Sequence, residues 1–314
     1  MSDRVSKDRP KFDHPDVTAT GEPRAKVALR AMETLWFNTG TLCNVTCANC
    51  YIESSPLNDR LIYLSLADTI SFLDEIRDLS LPVKTIGFTG GEPFMNPDFI
   101  AMLDEALRRG FDVQALTNAM KPMRRAEEEL LMLRKTHGKA LQIRVSIDHY
   151  TPEVHERERG QGSWSSAMNG LFWLAQNGFA PHVAARQFTD ELEDEVRAGF
   201  AKLFLKTGIR VDANNPGRLI IFPEMDMHRE VPEITQDCWK ILGKSPEEMM
   251  CASARMVVRR KGAPAPAVLA CTLLPYDPQF ELGANLASAL RAVSLNHPHC
   301  ARFCVIGGGH CGGS

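Results

Sequence analysis

The feature that most constrains this chain is a rhythm. Between residues 33 and 213, short apolar runs alternate with amphipathic stretches. "ETLWFN" (33–38) reads as a buried strand. After a loop, "LSLADTISFLDEIRDL" puts Leu66, Ile70, Leu73 and Ile76 on one helical face, with Ser65 and Asp68 spaced as a capping box. The unit recurs as "VKTIGF" then "PDFIAMLDEALRRG", where Pro97 opens the helix and Gly110 closes it, and as "DVQALT" then "PMRRAEEELLMLRK". It recurs again as "LQIRVSI" then "SWSSAMNGLFWLAQNG", and as "PHVAAR" then "DELEDEVRAGFAKLFLKTG", before a sixth strand near "IRVDA" (209–213). Such alternation predicts a parallel sheet with right-handed crossovers, doubly wound or closing as a full or partial barrel.

In these sheets ligand-binding groups gather in the loops after the carboxyl ends of the strands. The unusual residues fall there. Cys43, Cys47 and Cys50 follow the first strand, "TGGEP" (89–93) the second and "TNAM" (117–120) the third. "SIDHY" (146–150) ends the fourth, Arg186 ends the fifth and "NNPGR" (214–218) follows the sixth, so six loops are expected to share one mouth.

Three cysteines in one loop raise a question of valence. A structural zinc site and an ordinary cysteine-ligated four-iron cluster both take four protein ligands, so three leave either a distant fourth or an open position. From spacing alone, a structural metal completed by a late cysteine or a histidine stands level with an open cluster. Paired glycines after the next strand let a ligand approach the backbone, although a simple Gly-Gly turn reads the same way. Glu92 adds a negative charge suited to an ammonium group. The nine cysteines form an early and a late group, unlike a secreted disulfide framework. A formal charge of −3 without a basic run gives no sign of a nucleic-acid partner. The chain shows neither an apolar signal region nor a membrane-length apolar run, so a cytoplasmic location without a membrane partner is expected. P-loop, HExxH, GxSxG and Rossmann glycine motifs are absent.

CxxxCxxC after the first strand and GGEP after the second together resemble the radical S-adenosylmethionine (SAM) superfamily. "RVSIDHYTPEVHERERGQGSW" followed by "NGLFWLAQNG" is similar to the fourth strand and following loop of its SPASM or twitch subgroup, so the resemblance runs over about residues 33 to 311. It implies a (β/α)6 partial TIM barrel with a small C-terminal cysteine-rich domain. It also implies that Cys43, Cys47 and Cys50 ligate a [4Fe–4S] cluster whose fourth iron is chelated by SAM. Gly90, Gly91 and Glu92 would then hold the methionine amino group, with Thr117 and Asn118 near the ribose or adenine. Ser146 and Arg159 would bond the ribose or carboxylate, or Arg186 the carboxylate. The implied reaction is reductive cleavage of SAM to a 5′-deoxyadenosyl radical that removes a hydrogen atom from a substrate. An electron donor such as flavodoxin or ferredoxin is implied with it. Two positions depart from the family pattern: Asn49 stands where an aromatic residue is usual before the third cysteine, and "TNAM" replaces Thr-Asn-Gly.

The expected organisation is a flexible lead-in over 1–30, a barrel core over 31–230 and a metal-held C-terminal domain over 231–314. Cys251, Cys271, Cys300, Cys304 and Cys311 resemble the twitch or SPASM pattern, and four of the five would hold one auxiliary [4Fe–4S] cluster, with zinc as the other reading. Cys238 reads as a small core residue. Asp148, at a strand end, is the general-base candidate, or equally a loop cap, while His149 and His155 read as ordinary loop residues or proton carriers. The substrate implied by the subgroup is a peptide or protein side chain; the alternative is a small carbohydrate or cofactor precursor. The 30-residue N-terminus is short for a peptide-binding leader domain. A non-catalytic metal scaffold or electron carrier is the reading from another class.

Overall fold

A computed structural model describes residues 9–187, 190–223 and 230–309. Its centre is a nine-stranded sheet. The strands are β1 (Thr34–Asn38), β2 (Thr85–Thr89), β3 (Asp112–Thr117), β4 (Leu141–Ser146), β5 (His182–Arg186), β6 (Leu219–Phe222), β7 (Ala254–Val258), β8 (Ala267–Leu269) and β9 (Glu281–Gly283). Their order is β9-β8-β7-β1-β2-β3-β4-β5-β6. Strands β1 to β6 run parallel in sequence order, as the βα rhythm demands.

Between them lie α1 (Leu66–Asp78), α2 (Phe99–Arg108), α3 (Glu127–His137), α4 (Pro152–Arg159), α5 (Ser163–Gln176) and α6 (Glu193–Thr207). The Ser65–Asp68 capping box forms with both reciprocal bonds, satisfying otherwise orphaned donors at the start of α1. The core between sheet and helices is aromatic near the first strands: Phe37 stacks on Phe88 at 5.6 Å, and Phe88 meets Phe99 edge-on at 5.6 Å.

Four expectations change. The sixth strand is 219–222, not 209–213, so "NNPGR" precedes the strand as a turn, with the amide of Arg218 bonded to Asn215 O. Ile209, Val211 and Ala213 are buried without pairing, so their alternation reports burial rather than a ladder. The segment 122–135 is split into a short turn, Lys121–Arg124, and α3, because Ala126 N bonds back three residues to Met123 O. Helix α4 lies inside what reads as a loop; Pro152 at its start and Gly160 (φ 93°) after its end were its signals.

The fourth change is the lead-in, expected to be flexible. From residue 9 onward it is held down. Lys26–Val27 pairs antiparallel with Val293–Ser294, and the buried Arg24 bonds Glu233 at 2.5 Å while Glu233 also accepts the amides of Phe12 and Ala19. The C-terminal segment likewise joins the main sheet. Strand β7 lies parallel to β1 on its outer side, and β8 and β9 continue antiparallel from it.

Candidate active site

The carboxyl ends of β1 to β5 open into one cavity. Cys43, Cys47, Cys50, Gly90, Gly91, Thr117, Asn118, Ser146, Asp148, Arg159 and Arg186 all line it, with Leu116, Ala184, Ala185 and Phe222 as its apolar wall. Of the residues expected to hold the cluster or SAM, Glu92 alone lies outside this lining, and the loop 214–218 does not reach it.

The two glycines act on the protein itself. A Cβ at Gly91 would sit 2.3 Å from the carbonyl oxygen of Leu42, and one at Gly90 (φ 146°) 2.6 Å from that of Gly40. Their absent side chains let the GGEP loop zip onto the cysteine loop: Gly91 N donates to Gly40 O at 2.8 Å and Glu92 N to Leu42 O at 3.1 Å. Glu92 continues the chain of contacts. Its buried carboxylate accepts the Thr117 hydroxyl and the Asn118 amide, both at 2.8 Å, and the Phe94 amide at 3.3 Å, so it ties the second loop to the third. Burial pushes its pKa up to about 7 against these bonds.

Asn118 then reaches back to the first loop through Asn44 Oδ1 at 2.9 Å, with its Nδ2 3.9 Å from Cys43 Sγ. At the next position Ala119 has φ 56°, the left-handed conformation for which the family's usual glycine is suited.

On the other side, Arg159 grips Asp148 with two parallel bonds of 2.8 and 2.9 Å, and Arg186 Nε lies 3.6 Å from the same carboxylate. Burial would raise the pKa of Asp148, but the two guanidiniums outweigh it and hold it below the ordinary value. A carboxylate clamped in this way is a weak base and a strong anchor; among Asp148's two sequence readings the geometry is that of the structural one. His149 bonds Thr151 and Glu191, and the buried His155 accepts the Asp148 amide at Nδ1, its pKa pushed down to about 4 by burial and then by Arg159.

The departure at Asn49 has its own partners. Asn49 Nδ2 donates to Glu158 at 2.8 Å, the Ala48 amide donates to Glu158 O at 2.8 Å, and Arg186 donates to Asn49 O at 2.9 Å. Sequence reasoning missed Glu158; helix α4, once recognised, would have pointed to it. The cysteine loop is thus pinned from both sides.

This donor set fits a cluster with an open corner. Burial pushes the Cys43 thiol up to about 12 and raises Cys47 as well, so cationic iron would be needed to hold them as thiolates. Asp148, the one carboxylate among the described lining residues, has both oxygens bonded by Arg159, so the described lining holds no fourth cysteine, no histidine and no uncommitted carboxylate.

A second cavity lies in the C-terminal segment. Cys251, Cys271, Cys300 and Cys304 share it with His299 and an apolar wall that includes Leu273, Leu274, Phe280, Val293 and Leu295. Burial pushes the Cys251 thiol up to about 11 and Cys300 well above the ordinary thiol value. Four thiols around an apolar hollow also fit an iron–sulfur cluster. Cys311 lies outside the described residues. Cys238 is only partly buried, its sulfur 3.4 Å from both the amide and the hydroxyl of Thr235. No helix among the described residues is long and apolar enough to cross a membrane.

The chain is similar in sequence and fold to known proteins. The chain is 31% identical over 229 residues to the "Antilisterial bacteriocin subtilosin biosynthesis protein AlbA" of Bacillus subtilis, covering 70% of this chain and 48% of that protein. It is 30% identical over 156 residues to the "Mycofactocin maturase MftC" of Mycobacterium ulcerans, covering 48% of this chain and 40% of the maturase. The chain thus spans about half or less of the length of these relatives. Its fold matches that of Streptococcus suis SuiB bound to S-adenosylmethionine, with TM-score 0.59 and 13% identity over 82% of this chain and 64% of SuiB. Residues 37–188 match the model of the Radical SAM superfamily. Over residues 37–188, therefore, the chain carries a radical SAM domain.

Proposed function

We propose that the protein cleaves SAM reductively at a [4Fe–4S] cluster held by Cys43, Cys47 and Cys50, and uses the resulting radical to modify a peptide or protein side chain. The carrying observation is the mouth cavity, where three thiols from one loop face a lining whose described residues include no fourth cysteine and no histidine. A cluster bound there supplies the electron that splits SAM into methionine and a 5′-deoxyadenosyl radical. The chain's own residues position the reactants. Gly90 and Gly91 shape the cysteine loop, Thr117, Asn118 and Ser146 offer polar groups along the wall, and Arg186 offers a cation for the SAM carboxylate. Glu92 sets the spacing between the second and third loops, and Arg159 with Asp148 holds the fourth-strand side rigid. Leu116, Ala184, Ala185 and Phe222 keep the substrate end apolar, which protects a radical from quenching.

The peptide reading draws on the two relatives, one a bacteriocin biosynthesis protein and the other a maturase. The proposed organisation keeps a barrel core over 31–230 and a cysteine-rich segment over 231–314 that holds one auxiliary [4Fe–4S] cluster through Cys251, Cys271, Cys300 and Cys304, with flavodoxin or ferredoxin as the electron donor. After anaerobic reconstitution and dithionite reduction, SAM should be converted to 5′-deoxyadenosine and methionine. No 5′-deoxyadenosine from a fully iron-loaded protein would leave the cysteines as a scaffold or electron carrier.

A further inference from the structure

The late cavity contains a fifth polar group. His299, 7% exposed, lines the same hollow as the four cysteines, and its Nδ1 is buried without a hydrogen-bond partner among the described residues. The other walls offer it little. Leu273, Leu274, Phe280, Val293 and Leu295 carry no side-chain acceptor, and the neighbouring imidazole of His297 is already occupied at Nδ1 by the His299 backbone amide at 3.0 Å. A buried ring nitrogen with no partner has lost its water without a replacement bond, which is unfavourable. A sulfur-rich group filling the hollow would remove that cost, because its sulfides and thiolates are acceptors and the neutral imidazole has one N–H to give.

We propose that His299 is a positioning residue for the auxiliary cluster: it donates a hydrogen bond from Nδ1 to a cluster sulfide or cysteine sulfur and thereby sets the cluster's reduction potential. The proposal rests on the auxiliary-cluster reading above. With four cysteines already sharing the cavity, the histidine is a donor to the sulfurs rather than a ligand to iron. A donor aimed at sulfur stabilises the reduced, more negative state of the cluster, so the potential is raised by its presence.

The test uses the full chain with Cys43, Cys47 and Cys50 all changed to Ala, in which the late site is observed alone. This parent should bind about four irons, and fewer would overturn the auxiliary-cluster reading before residue 299 is touched. His299→Phe should keep those irons but move the midpoint potential to a more negative value, with loss of an exchangeable-proton coupling to the reduced cluster in electron–nuclear double resonance. His299→Gln, which retains an N–H donor, should recover part of the shift. An unchanged midpoint in His299→Phe overturns the proposal, and so does iron loss in both variants, which would make His299 a ligand. If His299→Phe does not fold, the parent decides: no exchangeable coupling after transfer to deuterated buffer overturns the assignment.

Discussion

The two cysteine cavities solve the same problem by opposite means. At the barrel mouth all three thiols come from eight residues of one loop, and the rigidity comes from outside: Gly91, Asn118 and Glu158 each belong to a different later loop or helix and each bonds to the cysteine loop or its flank. In the C-terminal cavity the four thiols are brought together from residues 251 to 304, and the surroundings are mainly apolar. The first site is a local motif made rigid by the fold; the second exists only because of the fold. An open corner suits the first, since its walls carry polar groups, while the second is closed by a wall that is apolar apart from His299.

The sharpest way to break this comparison is to remove one set of thiols. Changing Cys43, Cys47 and Cys50 together to Ala should abolish 5′-deoxyadenosine formation and remove about four irons while sparing the late site; loss of all iron would mean the two cavities do not load independently. Next in size is Arg159→Met. It strands a buried carboxylate, so unfolding by denaturant should show a loss on the order of 3 kcal/mol, with Arg186 at 3.6 Å giving only partial compensation. A wild-type midpoint would show that Asp148 is not the anchor described.

Gly91→Ala places a methyl group against the Leu42 carbonyl, and overpacking of that kind costs about 1–3 kcal/mol. Its signature should be local: slower iron uptake at the mouth, with the late cluster loading normally.

Glu92 provides a pH test. Its folded pKa, about 7, lies above the ordinary carboxyl value. Its favourable contribution is therefore present below that ordinary value and is lost as pH rises through about 7. Glu92→Gln should gain stability relative to wild type as the pH is raised from about 4.3 toward neutrality, and a constant difference across that range would remove Glu92 as the titrating group. The smallest effect is expected from Ala119→Gly. Relief of left-handed strain, about 1–2 kcal/mol, is opposed by glycine's extra chain entropy and a lost buried methyl, so thermal unfolding should move little in either direction.

The same contrast explains what could be read before any coordinates. The βα order, the capping box at Ser65 and the clustering of the first five loops at one mouth follow from local periodicity and turn chemistry and appear, while the expected sixth loop, 214–218, lies before its strand and outside the lining. The role of Gly91 was only half legible, because a glycine says that something comes close and not what: here it is the Leu42 carbonyl. Glu92 looks like a ligand in sequence because its charge is visible there and its three donors are not. The sixth strand was misplaced because a continuous apolar run, "LIIF", lacks the alternation that 209–213 displays. The pairing of β7 was invisible for another reason: nothing local indicates that residues 254–257 will pair with residues 34–37.

That pairing has a consequence for how the protein is made. During synthesis β1 emerges before β7, and its outer edge stays uncovered until β7 follows roughly 200 residues later, on the order of 10–40 s at typical elongation rates. The nascent barrel therefore carries its cysteine loop beside an unfinished sheet edge throughout that interval. Chains interrupted before residue 258 would expose a ready template for strand addition, so interrupted synthesis should show itself as aggregation rather than as a smaller folded protein.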